Sequence, residues 1–98
     1  MKNDIFNQVL KVVSLELGVN EEEILSFARS EEVLDARAMV VFFCRKFGMS
    51  NKDIRIFFGR NGHRFAQNMY DLCVSRKQFS RYYSAVSEVI GKQLGIGV

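Results

Sequence analysis

From Ala38 to Phe47 the chain sets Ala38, Met39, Val40, Val41, Phe42, Phe43, Cys44 and Phe47 on nearly every side of whatever helix they form. A helix that is apolar almost all round is stable in water only when other elements surround it. Those elements are expected to be helices too, because the sequence has no proline and few closely spaced turn signals of the kind that separate short strands. With 98 residues, 48% of them hydrophobic, the chain can enclose one core without a metal or disulfide staple. The expected fold is all-α: residues 1–98 form one compact bundle of about six helices, with Met39, Phe42, Phe43 and Phe47 in the core.

The surrounding helices are marked by caps and glycine stops. Asn3 or Asp4 caps a first helix carrying Phe6, Val9, Leu10, Val13 and Leu17, and Gly18 closes it. Asn20 caps a short second helix whose acidic first turn, Glu21 to Glu23, suits the positive end of the helix dipole, with Ile24, Leu25 and Phe27 as its buried side. Residues 28–34 read as a loop, after which Asp35 starts the central helix and Gly48 stops it. Ser50 and Asp53 have capping-box spacing ahead of a helix that buries Ile54, Phe57 and Phe58. A last amphipathic helix, 78–94, repeats apolar residues at Phe79, Tyr82, Tyr83, Val86, Val89 and Ile90. Its stripe packs on its own domain or serves a homodimer or protein partner. Gly95 to Val98 are expected to fray.

Between the fourth and fifth helices lies Phe58-Gly59-Arg60-Asn61-Gly62-His63-Arg64-Phe65-Ala66, a glycine-broken turn opening a new amphipathic helix. In this reading Asn61 caps that helix, Phe65, Ala66, Met69, Leu72 and Cys73 form its core face, and Arg64, Gln67, Asn68 and Asp71 form its polar face. Such a pair is how a helix-turn-helix presents side chains to a DNA groove. Charge agrees with it. Residues 1–35 carry three basic and eight acidic residues, whereas 36–98 carry eleven basic and three acidic ones, a polarity expected for a nucleic-acid partner.

Taken in order, these motifs resemble the C-terminal DNA-binding domain of the bacterial replication initiator DnaA, a Trp-repressor-like all-α domain. The resemblance covers about residues 9–70. Ile24-Leu25-Ser26 precedes Arg29-Ser30 and Val33, Ala36-Arg37-Ala38-Met39 opens the core helix, and Ser50, Asp53 and Ile54 lead to Phe58-Gly59-Arg60-Asn61-Gly62-His63. The resemblance implies that Arg29 matches a loop arginine that enters the minor groove, and that His63 matches a histidine of the major-groove signature. The arginine-aspartate pair of that signature is Asn61-Gly62 here, and its two threonines are Arg64 and Phe65. The chain shows no counterpart of the family's nucleotide-hydrolysing module, so the resemblance implies DNA binding without initiator activity.

The candidate DNA-binding residues are therefore Arg29, Arg60, Asn61, Gly62, His63, Arg64, Gln67 and Asn68. His63 meets a base or phosphate, or is a capping or surface histidine. Arg64 suits phosphate better than base readout, and Arg60 holds phosphate or is simply solvated. One of Gln67 and Asn68 is expected to make a bidentate adenine contact. Arg37 pairs with Asp35 or Glu32. Acidic residues at 31, 32 and 35 oppose phosphate and favour the alternative, a protein-interaction module on the same fold.

No enzyme is expected. The chain lacks a Walker-type loop, has no nucleophile with a base and contains a single histidine. Cys44 and Cys73 read as buried thiols, so no metal, cofactor or redox role is expected. No apolar run nears the roughly 20 residues needed to span a bilayer, and the amino terminus leads into an amphipathic helix, so a cytoplasmic, non-membrane protein is expected. The whole reading is double-stranded DNA binding in replication or transcription control.

Overall fold

The computed structural model describes residues 1–96. Gly97 and Val98, the last of the residues expected to fray, lie outside the described residues. The described chain is all-helical, with 76% of residues in helix. Six helices follow one another: α1 Lys2–Leu17, α2 Glu21–Leu25, α3 Glu31–Lys46, α4 Asn51–Phe57, α5 Phe65–Phe79 and α6 Arg81–Leu94. Among these residues no helix is long and apolar enough to cross a membrane.

α3 is the central element. It buries ten of its sixteen residues, continuously from Ala36 to Cys44, and packs against α1, α2, α4 and α5. α6 closes the bundle by packing on α1 and α5. Aromatic contacts carry the packing into the α4–α5 connection: Phe6 of α1 stacks on Phe57 at 4.9 Å and meets Phe58 edge-on at 5.3 Å, and Phe58 in turn meets Phe65 at 5.2 Å. The first residue of α5 is thereby fixed to the core.

Several local expectations are corrected. α3 begins four residues earlier than Asp35, because the Ser30 side chain accepts a hydrogen bond from the Val33 amide and starts the helix where a loop was expected. The first helix starts at Lys2, ahead of Asn3 and Asp4, with no side-chain cap. Phe47 lies past the end of α3 and is 37% exposed, so the core aromatics of this helix are Phe42 and Phe43. In the tail stripe Tyr83 and Ile90 are buried, but Phe79 and Tyr82 are exposed, because the chain breaks at Ser80 and a new helix starts there. The break divides the expected tail helix into the end of α5 and α6. Gly95 and Ile96 are not frayed: the Ile96 amide donates to Gly91 O at 2.8 Å and closes α6.

Burial pushes the Cys44 thiol up to about 12 and the Cys73 thiol up to about 11, against an ordinary value of 9.0. Folded values above the unfolded one mean that rising pH ionises the thiols first in the unfolded chain, so stability present below pH 9 is lost above it. Unfolding in urea should show stability lower by about 2–3 kcal/mol at pH 10 than at pH 8, a difference that shrinks when both cysteines are replaced by alanine. Phe43 is completely buried. Phe43→Ala should cost about 3–5 kcal/mol in the same experiment.

Candidate nucleic-acid interface

The loop between α2 and α3 has almost no side chains in the core, yet its path is fixed from behind by one buried cation. Arg37, 2% exposed, donates from Nε to Ile24 O at 2.8 Å. Its Nη2 donates to Ser26 O at 2.7 Å, Ala28 O at 3.1 Å and Glu23 O at 3.3 Å. The expected pairing with Asp35 or Glu32 does not occur. Asp35 pairs with Arg76, and the buried Arg37 guanidinium is solvated by backbone carbonyls instead. Burial, with the charges of Arg60 and Arg29 behind it, lowers its pKa to about 10.

Arg60 is tied to the same loop. Gly59 makes this possible: it adopts the left-handed conformation (φ 65°) that ends α4, which lets the Arg60 amide donate back to Arg55 O at 3.0 Å. Arg55 Nη1 in turn donates to Arg60 O at 3.2 Å. The Arg60 side chain crosses to α2's loop, where Nη2 donates to Ser26 O at 2.7 Å. Its guanidinium is sandwiched between the rings of Phe27 and Phe65, at 4.2 and 4.9 Å from their centroids. Arg60 is thus neither a freely solvated arginine nor an unencumbered phosphate ligand, and its half-buried charge joins the two loops. Its pKa is lowered by burial and then by Arg29.

Phe27, expected in the core, is 73% exposed and forms the outer leaf of that sandwich. The helix that was to bury it ends at Leu25. Arg29 follows on the same loop and is exposed. Phe27, Gly59, Arg60, Asn61, Gly62, Arg64, Phe65 and Asn68 line one open groove, which brings most of the sequence-derived candidates together. His63, between Gly62 and Arg64, is exposed beside it.

Asn61 does not cap α5. The helix starts at Phe65, with Arg64 in the capping position and no side-chain cap, because Asn61 stands too far back along the connection. Helices α2, α3, α4 and α6 receive side-chain caps from Asn20, Ser30, Ser50 and Ser80. The first turn of α5, next to His63 and Arg64, therefore has neither a side-chain cap nor an acidic residue, and its Phe65 amide donates to Gly62 O at 3.2 Å.

Gln67 and Asn68 part company. The Gln67 amide is engaged at both ends, accepting from Arg45 Nη1 at 3.3 Å and donating to Asp71 Oδ1 at 2.9 Å. Asn68 is exposed and lines the groove.

The acidic residues of α3 have partners elsewhere. Asp35 Oδ1 accepts from Arg76 Nε at 2.8 Å, and Glu31 stands 3.9 Å from the same guanidinium. Glu32 and Asp35 line a different pocket, with Arg76, Tyr82 and Tyr83. Among the described residues no carboxylate forms an ion pair with Arg29, Arg37, Arg60 or Arg64. No group of three or more histidine, cysteine or acidic residues is placed there to hold a metal ion.

Two contributors were missed by sequence reasoning. Arg45, at the end of α3, lies over the Tyr70 ring at 4.2 Å and reaches α5 through Gln67. Its position in a last helical turn had an ordinary dipole explanation that hid it. Phe27 was missed because an aromatic residue next to Ile24 and Leu25 reads as core.

The protein-family models, the curated proteins and the solved structures compared with the chain give no match.

Replacing Arg37 by methionine keeps most of the volume and leaves the carbonyls of Glu23, Ile24, Ser26 and Ala28 without their donor. Urea unfolding should show a loss on the order of 3 kcal/mol, the penalty for buried acceptors stripped of a charged donor. A near-neutral change would mean that the loop is held by other contacts.

Proposed function

We propose that the protein binds double-stranded DNA without catalysing a reaction, with the amino end of α5 facing a groove and the α2–α3 loop beside it. The observation that carries this reading is the groove holding Arg60, Arg64 and Asn68, with the exposed Arg29 on the neighbouring loop and no carboxylate ion-paired to these arginines among the described residues, at the uncapped start of a fifteen-residue helix. Such a surface matches a polyanion through side-chain charge at the positive end of a helix. The ordered resemblance to the DnaA C-terminal domain supports the same placement, as a helix-turn-helix made by α4 and α5. A role in the control of replication or transcription in the bacterial cytoplasm follows from that resemblance.

Within this reading His63 and Arg64 meet phosphate, Arg29 makes the loop contact, and Arg60 holds the two loops at the spacing the duplex requires. Asn68 is the base-reading residue in preference to Gln67, whose amide is engaged within the protein. Of the acidic residues that oppose phosphate, Asp35 and Glu31 pair with Arg76. A second reading, a homodimer or protein-interaction surface, is favoured by the exposure of Phe79 (80%) and Tyr82 (70%) at the α5–α6 junction. Sedimentation of the full chain distinguishes a dimer from a monomer.

The DNA reading is tested by fluorescence anisotropy of labelled duplexes, first selected from a random pool, across a salt series. Arg64→Ala should weaken binding to all duplexes about equally and lower the salt slope by about one. Asn68→Ala should cost about 1–3 kcal/mol on the selected duplex and little on others. Arg29→Ala should weaken binding most where A·T-rich flanks narrow the minor groove. Absence of any salt-sensitive affinity at micromolar protein would refute DNA binding and leave the protein-interaction reading.

A further inference from the structure

A single aromatic side chain left in water is common and assigns nothing by its exposure alone. Phe27 is not loosely held. Its ring rests on the Arg60 guanidinium at 4.2 Å, Arg60 is itself bound to Ser26 O, and Ser26 O is also held by Arg37. The loop on both sides is fixed through the carbonyls of Ile24 and Ala28. One face of the ring is therefore occupied by a cation, while 73% of the residue remains open to solvent.

The surroundings indicate what the open face meets. Arg29 and Arg64 are exposed beside it with no carboxylate ion pair among the described residues, and Phe27 lines the same groove as Arg60, Arg64 and Asn68. An exposed apolar ring backed by one guanidinium and flanked by two exposed arginines complements a partner that is anionic outside and stacked aromatic inside. A nucleic-acid duplex has that construction. We propose that Phe27 is a wedge that enters between two adjacent base pairs of bound duplex DNA from the minor groove, unstacking them and bending the helix. This inference rests on the duplex-binding reading above. Arg29 and Arg64, the exposed cations beside the ring, neutralise phosphates next to the entry point, and the Arg60 platform keeps the ring from folding back onto the protein. Wedge residues of this kind open one base step at a cost of a few kcal/mol, offset by the contacts that the bend brings into reach.

The experiment uses the full chain and a duplex selected by it from a random 20-base-pair pool. That duplex is resynthesised with 2-aminopurine in place of each adenine in turn, and separately with a donor and an acceptor dye at its ends. The wild type should raise 2-aminopurine fluorescence at one step only, and should shorten the end-to-end distance by a bend of about 20–90°. Phe27→Ala should lose both signals while keeping salt-sensitive binding, and Phe27→Leu, which retains an apolar wedge, should keep part of each. Unchanged thermal melting of both variants establishes that the loss is not one of folding. Salt-sensitive binding by the wild type with no unstacking and no bend would overturn the wedge and leave duplex binding standing. Unstacking that survives Phe27→Ala would also overturn it. Tighter binding to either separated strand than to the duplex would overturn it as well. Failure of the pool to yield any bound duplex would overturn both readings.

Discussion

Arg37 places a full positive charge among the backbone carbonyls of Glu23, Ile24, Ser26 and Ala28, and the shape of the candidate interface depends on that arrangement. Removing a guanidinium from water is costly, and without a carboxylate partner the compensation must come from several oriented dipoles at once. A loop offers such dipoles only when its carbonyls turn inward, and that turn sends the side chains of Phe27 and Arg29 outward. Arg60 extends the same logic by donating to Ser26 O, so two connections distant in sequence share one acceptor. The α2–α3 loop and the α4–α5 connection consequently behave as one surface.

The basic character of that surface owes as much to the placement of acids as to that of arginines. Chain-wide charge gave a net of +3, and the amino-terminal third looked unfavourable for phosphate. In three dimensions Asp35 and Glu31 converge on Arg76, and the Asp35 carbonyl also accepts from the Tyr83 hydroxyl at 2.8 Å. Desolvation raises the Tyr83 pKa, so that hydroxyl stays a donor even in alkaline solution. Asp35 thus helps dock α5 and α6, and the acids of α3 do not share the lining of the groove that holds Arg60 and Arg64.

Much of the fold was legible because it is written in local terms. The apolar run from Ala38 to Cys44 demanded enclosure, and Gly18, Gly48 and Ser50 marked helix ends through backbone chemistry acting within a few residues. The misreadings concern features that a neighbour in space decides. Phe27 looks like core until Arg60, thirty-three positions later, is seen beneath its ring. Asn61 is a good cap in isolation, but Phe65 is anchored on Phe58 and starts the helix later. Ser30 was passed over since the polar residues after it resembled a loop. Arg29, Asn61, Gly62, His63, Arg64 and Asn68 remain exposed, as sequence reasoning expected, whereas Arg60 and Gln67 acquired partners that no spacing rule contained.

The cage around Arg37 is built from carbonyl oxygens, and every amino acid has one. The residues at 23, 24, 26 and 28 contribute to it through the main chain, so the loop keeps its path under many changes of side chain. Position 27 lies between two of those anchor points, position 29 just past the last, and both are exposed. They form a socket whose shape is set by the backbone and whose chemistry is open to exchange. A lineage, or a designer, can therefore retune what this surface touches at two adjacent-but-one sites without renegotiating the fold beneath them.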